Sequence, residues 1–296
     1  MTLFEKTDLF LRNLYETAFY FSVMAVKENF RDYVGRAGTV GAPAPTMAIL
    51  GNGPALAGEL PRLLRERERD FMAVNFFAQD ERFTQLRPAY YVLSDPMFFR
   101  QTAQRERVAA LYRTLNERVA WPMNLYVQYY NPERFDYRAA LPNPSIRIIP
   151  FHTQMYRGFR SLEFRLYRRG LGSANFGTVV QVGEYIALLL GYKRIELYGV
   201  DHTLLEGLCV DDANRLCRAD RHYYDGGEEP AAPQPMFQKV PPRPYTMSVY
   251  LAEVAELFRG HEVLRDYART LGARIVNCTR GSMIDAYERS EAKGER

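Results

Sequence analysis

Lysine is scarce in this chain. Only residues 6, 27, 193, 239 and 293 are lysines, so arginine supplies nearly all of the 39 basic side chains. Set against 35 acidic residues, they leave a formal net charge of +4, spread along the sequence. There is no basic arm and no interleaving of basic and aromatic residues of the kind that follows a nucleic-acid backbone, so nucleic acid is not expected as a partner. Arginine forks do suit phosphate and carboxylate groups. Cysteine is equally sparse. Cys209, Cys217 and Cys278 form an odd set, with neither a disulfide framework nor paired metal-ligand spacing, which reads as three free thiols in a reducing compartment. Long apolar runs are missing too. The N-terminus has no basic start followed by an apolar stretch and a small-residue cleavage site, so it is not a signal peptide. Its longest apolar stretch, 18–26, is too short to span a bilayer and contains Ser22. The expectation is a cytoplasmic protein whose first helix packs on the main domain, with the inner face of a membrane or a second copy of the chain as further contacts for its aromatic residues.

What is present suits a folded globule. At 296 residues, 47% hydrophobic and 25% charged, the chain can bury a sizeable core without staples. Apolar residues recur at helical spacing over 3–35. The Gly- and Pro-rich segment that follows ends that pattern, giving an N-terminal helical extension (1–40), a main domain (41–289) and a disordered tail (290–296). Within the main domain, apolar runs of strand length at 46–50, 71–77, 89–93, 124–128, 146–151, 194–200 and 273–278 alternate with helical patterns at 56–69, 105–119, 178–190 and 251–271. Ser282 reads as the cap of a last short helix, 283–289. Alternation of this kind predicts a doubly wound, mostly parallel, Rossmann-like α/β sheet covered on both faces. Ligands of such sheets sit beyond the carboxyl ends of the strands. That rule gathers Gly51, Asn52, Gly53, Pro54, Asn75, Ser94, Asp95, Asp201, His202 and Asn277 along one edge, because each ends or directly follows a predicted strand.

The first βα turn, Gly51-Asn52-Gly53-Pro54, carries the sharpest signal. Its glycines admit close approach, Asn52 offers both a donor and an acceptor, and the following amides, at a positive helix end, are expected to hold an anion. It is neither a dinucleotide fingerprint nor a Walker loop, because the third glycine and the Gly-Lys-Ser/Thr are absent. An ordinary tight turn has the same residue types. Asp201 and His202 stand at the end of a strand, where polar groups meet ligands, although a satisfied structural histidine fits His202 equally well. A Gly- and Pro-rich region over about 203–244 has the composition of a lid. Within it, Asp220-Arg221-His222-Tyr223-Tyr224-Asp225 places a histidine whose ordinary pKa suits a general base.

Taken together these residues resemble a bacterial family. Gly51-Asn52-Gly53-Pro54-Ala55-Leu56 is similar to the "GNGPSL" opening shared by motility-associated flagellin glycosyltransferases, an archaeal pterin diphosphokinase and the small bacterial CMP-sialic-acid sialyltransferases. The segment LGYKRIELYGVDHT (190–203) resembles their helix–Gly-Tyr-Lys–strand–Gly-x-Asp pattern, and RHYYD (221–225) and ARIVNCTRGSMIDAYER (273–289) resemble later segments of the glycan-related members. The resemblance covers roughly 46–289. It implies a GT-A-like nucleotide-binding fold without a metal or other cofactor, with Asn52 and Asn75 on a CMP-sugar donor, His222 as general base, and Tyr223 and Tyr224 steadying the departing phosphate; Thr178 and Asp201 are expected to shape the pocket. The implied partners are a nucleotide-sugar donor and a surface glycan or glycoprotein acceptor, as in lipopolysaccharide or capsule assembly. Ala55 stands where that family has serine, and His202 follows Gly-x-Asp where the sialyltransferases have an aromatic residue. No Asp-x-Asp, the usual metal-holding pair for diphosphate donors, occurs in the chain. Two rivals remain: Mg²⁺-dependent diphosphate transfer to a pterin, and a binding module without turnover.

Overall fold

The computed structural model describes residues 2–66, 68–100, 104–132, 134–173, 176–219, 232–239 and 242–290. In chain order the elements are α1 (Leu3–Lys27), α2 (Val34–Ala37), β1 (Thr46–Leu50), α3 (Leu56–Leu63), β2 (Asp70–Val74), α4 (Phe83–Leu86), β3 (Tyr90–Leu93), α5 (Arg105–Arg118), β4 (Met123–Gln128), α6 (Tyr137–Ala140), β5 (Ile146–Phe151), α7 (Arg160–Arg168), α8 (Val179–Leu189), β6 (Arg194–Tyr198), β7 (Leu208–Val210), β8 (Leu216–Arg218), β9 (Gln234–Pro235), β10 (Phe237–Lys239), β11 (Pro242–Pro244), α9 (Met247–Thr270), β12 (Arg274–Asn277) and β13 (Glu288–Arg289).

The strands read as continuous apolar runs because both faces of the sheet are covered. Met47 and Ile49 of β1 enter one core with α8 and α9. Ala48 and Leu50 enter the other, with α3 and α5. Eight strands form a parallel sheet in the order β13-β12-β6-β1-β2-β3-β4-β5. The chain winds outward from β1 to β5, then returns through α8 to lay β6 on the free side of β1. The winding direction therefore reverses between β1 and β6, and the loops that leave these two strands flank a natural crevice.

Several expectations need correction. The helix read over 3–35 stops at Lys27, because Glu28 turns away to bond His152 Nδ1 just beyond β5, while His152 Nε2 bonds the Arg31 carbonyl oxygen at 3.0 Å. The helix read over 56–69 stops at Leu63, and the chain beyond it delivers Arg69 to Glu196 at 2.5 Å. The helix expected at 283–289 does not form. Ser282 Oγ donates to the Val200 carbonyl oxygen at 2.7 Å, and Arg289 Nη1 donates to the Thr279 carbonyl oxygen at 2.9 Å, so the segment runs extended and β13 pairs in parallel with β12. The lid-like region contains the strands β7, β8, β9, β10 and β11, which its composition did not announce, and α7 was also unforeseen. All three cysteines are free, with Cys209 opposite Cys217 across the β7–β8 pair.

Helix α1 buries only Tyr20 and Met24, which pack with Tyr156, Leu166 and Leu171. Its other aromatic residues stay exposed, Phe4 at 81% and Tyr15 at 66%. Among the described residues no helix is long and apolar enough to cross a membrane.

Glu196 on β6 anchors a buried ion cluster. It accepts from Arg69 Nη1 at 2.5 Å, Arg194 Nε at 2.8 Å and Tyr198 OH at 2.8 Å. Burial alone would raise its pKa, but the bonds from Tyr198 and Arg194 and the charge of Arg69 outweigh burial and hold it below the usual carboxylate range. A depressed carboxyl stabilises the fold above its unfolded pKa, and that contribution is lost as pH falls through the folded value. Glu196→Gln is therefore expected to cost about 2–4 kcal/mol in urea unfolding at neutral pH. The gap between variant and parent should close in acid. A gap that is constant with pH would mean that packing, rather than charge, is what Glu196 provides.

Candidate functional site

The loops after β1 and β6 are locked together. Gly51 N donates to the Tyr198 carbonyl oxygen at 2.8 Å and Gly53 N donates to the Gly199 carbonyl oxygen at 2.8 Å. Neither glycine has room for a side chain. A Cβ on Gly51 would lie 2.3 Å from the Gly199 carbonyl oxygen, and one on Gly53 would lie 1.8 Å from Asp201 Oδ2. Asp201 Oδ1 accepts from Ala55 N at 3.2 Å.

This geometry changes the expected place for an anion. The amides of Gly53, Ala55 and Leu56 are all committed to acceptors within the protein, and Pro54 has none. The first βα turn therefore cannot cradle a phosphate with these amides as the sequence suggested. The start of α8 lies in the wall of the same crevice, where Thr178 is the N-cap and its Oγ1 accepts from Val180 N at 3.4 Å.

The crevice is a cavity of about 440 Å³, of a size that suits a small ligand. Of the residues selected from sequence, Asn52, Gly53, Pro54, Asn75, Thr178, Asp201 and His202 line it. Gly51 lies behind the wall. Ser94 and Asp95 lie elsewhere: the Ser94 carbonyl oxygen accepts from Gln128, and Asp95 caps a short turn through Met97 N at 3.0 Å. Asn277 is buried and bonds Ser282 Oγ at 3.0 Å and Thr279 N at 3.0 Å, so it braces the turn after β12. His222, Tyr223 and Tyr224 lie outside the described residues. Glu206 and Arg218, which no sequence signal singled out, also line the cavity. Arg218 Nη1 donates to Tyr250 OH at 2.6 Å, which sets a cation at the lid side.

Three oxygens of the wall residues are buried and accept no hydrogen bond from the described residues: Asn52 Oδ1, Asn75 Oδ1 and Asp201 Oδ2. Buried acceptors of this kind are rare and call for a donor. Asn52 is oriented by its own Nδ2, which donates to the Val74 carbonyl oxygen at 3.3 Å. Asn75 is held in a left-handed conformation (φ 50°) by its amide bond to the Val92 carbonyl oxygen at 3.1 Å and by Tyr91 OH on its own carbonyl oxygen at 2.6 Å. His202 is also left-handed (φ 52°). Such strain in residues other than glycine gathers where side-chain placement matters.

Two titratable groups of the wall, Asp201 and His202, are perturbed by their surroundings. Burial pushes the Asp201 carboxyl above the usual carboxylate range against the pull of the Ala55 amide, and Glu206 adds to the rise. Burial, then the neighbouring His261, pushes His202 down to about 3. Behind His202 lies a sealed polar cluster. His261 Nε2 is 3.1 Å from His202 Nε2, His261 Nδ1 is 3.0 Å from Tyr287 OH and 3.3 Å from Glu184 Oε1, and Tyr287 OH donates to Glu184 Oε2 at 2.5 Å. One signal of this cluster was visible in sequence, a single charged residue, Glu184, inside the mostly apolar run of α8.

No protein-family description matches the chain, and no curated protein does. Solved structures do. A MAf glycosyltransferase from Magnetospirillum magneticum AMB-1 aligns over 88% of this chain with 15% identity and a TM-score of 0.47, and this chain spans 35% of that protein's length. The sialyltransferase CstII from Campylobacter jejuni, in complex with cytidine-5'-monophosphate, aligns over 84% of this chain and 86% of its own with 13% identity and a TM-score of 0.45. A CstII complex with a trisaccharide acceptor and CMP aligns over 82% and 85% with 15% identity and a TM-score of 0.43. These likenesses lie at identities too low to carry residue roles across to this chain.

Proposed function

We propose that the crevice binds a CMP-activated sugar and that the protein transfers the sugar to a hydroxyl of a glycan or glycoprotein. The observation that carries this reading is the set of buried, unmatched acceptors around one cavity at the switch point: Asn52 Oδ1, Asn75 Oδ1 and Asp201 Oδ2. A cytidine offers the donors they call for, an exocyclic amine for an amide oxygen and ribose hydroxyls for a carboxylate. The start of α8 and Arg218 offer the positive field that the phosphate needs. A departing monophosphate carries less charge than a diphosphate, so this donor class places less demand on a metal, and transfer is expected to persist in EDTA. The resemblance of the Gly51–Pro54 turn and of residues 190–203 to CMP-sugar enzymes points the same way.

The test is a nucleotide panel. CMP at about a hundred times its dissociation constant adds about 2.7 kcal/mol to stability. CMP should raise the melting temperature where UDP, GDP and ATP do not, and CMP-sugars should be transferred or slowly hydrolysed. Absence of both effects would sink the reading. One observation favours a rival: Asp201 and Glu206 put two carboxylates in the cavity, as a Mg²⁺-dependent diphosphate transfer would require. Stabilisation by ATP with Mg²⁺, lost in EDTA, would select that rival.

A further inference from the structure

The sealed cluster behind the crevice is more elaborate than packing requires. Glu184 and His261 are fully buried between α8 and α9, and aliphatic side chains would fill the same seam without desolvating charge. Their hydrogen bonds also run in one direction. Tyr287 donates its hydroxyl proton to Glu184 Oε2, so its oxygen is free to accept from His261 Nδ1. His261 then carries its proton on Nδ1, beside both Tyr287 and Glu184 Oε1. Its bare Nε2 can only accept, and the group 3.1 Å away is His202 Nε2, which must be the donor. That leaves His202 Nδ1 with a lone pair. His202 lines the cavity and is only partly buried.

We propose that Glu184, His261 and His202 form a proton relay, and that His202 Nδ1 takes the proton of the acceptor hydroxyl during transfer; this rests on the glycosyl-transfer reading above. In the step, the acceptor oxygen forms a bond to the anomeric carbon while the bond from that carbon to the phosphate oxygen breaks, its electron pair leaving with CMP. The hydroxyl proton goes to His202 Nδ1, the His202 Nε2 proton passes to His261 Nε2, and positive charge appears on His261, 3.3 Å from the Glu184 carboxylate. His202 is the catalytic residue, and His261 and Glu184 are positioning residues that act through it. The relay also explains how a poor base can serve. Burial and His261 make a cation on His202 itself unfavourable, whereas a cation on His261 is paired with a carboxylate. The groups facing His202 are Asp201 and Glu206 on the loop after β6, Arg218 on β8, His261 and the Phe258 ring on α9.

Two measurements on the full chain test this. The first needs no substrate. Histidine-selective ¹⁵N NMR resolves the tautomers of the four histidines, with His202→Gln and His261→Gln giving the assignments. His261 should be neutral and protonated at Nδ1, and His202 neutral and protonated at Nε2. A proton on His261 Nε2 would overturn the relay whatever the protein transfers. The second is turnover of the CMP-sugar substrate. His261→Gln and Glu184→Gln should lower kcat about 10²–10⁴-fold and leave CMP stabilisation intact. Glu184→Asp should restore part of the rate. Full kcat in folded, CMP-binding variants or a Glu184→Asp variant no faster than Glu184→Gln would overturn the relay, as would a transfer that needs His222 while His202→Gln keeps full rate. Absence of CMP-sugar turnover in the wild type would instead sink the functional reading, and the tautomers would still decide the relay.

Discussion

Gly53→Ala is expected to abolish CMP-dependent stabilisation and to lower the melting temperature of the free protein by roughly 3–6 °C. The added Cβ would lie 1.8 Å from Asp201 Oδ2, 2.8 Å from Asp201 Cγ and 2.8 Å from the Gly199 carbonyl oxygen. Asp201 could swing aside, but it would then release Ala55 N, which it now holds at 3.2 Å. The Gly199 carbonyl cannot swing, because it is main chain and already receives Gly53 N at 2.8 Å. The clash therefore has to be relieved by separating the loops after β1 and β6. Overpacking of this kind costs about 1–3 kcal/mol, and a lost hydrogen bond costs about one more. The same movement carries Asn52 away from Asp201, so the cavity that both line loses its shape. Gly58→Ala is the control. Gly58 lies exposed in α3 with nothing near its would-be Cβ, and alanine there should raise stability by up to about 1 kcal/mol. If Gly53→Ala binds CMP as the parent does, the two loops do not form the site.

The sheet was legible because its strands are buried on both faces. Runs such as Thr46–Leu50 and Tyr90–Leu93 have no alternation to confuse with a surface helix, and each is bounded by turn residues. Elements set by side-chain partners far along the chain were not legible. Glu28 ends α1 because His152 lies 124 residues away, and Ser282 looks like a helix cap until Val200 claims its hydroxyl. Helix α7 escaped notice because its apolar stripe is narrow, with Leu166 and Tyr167 its only buried residues among arginines. At the site, glycines, asparagines and the Asp201-His202 pair could be found because they follow strand ends. A sequence shows which amides begin a helix but not which ones Asp201 and Gly199 already occupy, so the prior commitment of the Ala55 and Gly53 amides was not legible. His261 could have been suspected, since it shares the stripe of Leu257 and Leu264 on α9 and a histidine on an apolar stripe needs a partner.

Asp201→Asn is expected to stabilise the free protein and weaken CMP binding about 10–100-fold. In the free protein the Asp201 carboxylate is a cost. Burial raises its pKa above the ordinary value, so the fold loses stability as pH rises through the folded pKa. An amide of the same shape carries no charge to desolvate, and its oxygen can still accept from Ala55 N. The variant should therefore melt higher than the parent at neutral pH, and the difference should vanish in acid, where the parent carboxyl is protonated. Binding should behave in the opposite way. A ligand hydroxyl that donates to Asp201 Oδ2 meets a charge-assisted acceptor in the parent and an amide in the variant. Parent affinity should weaken as pH falls through the raised pKa, while the variant's affinity stays flat over the same range. Melting curves with and without CMP across pH measure both effects in one experiment. A variant that is less stable without ligand would show that the carboxylate is a structural latch between the two loops. A variant with parent affinity would show that the nucleotide does not touch it. A rise in stability together with a fall in affinity fits a group kept charged and buried for its ligand, at the expense of the free fold.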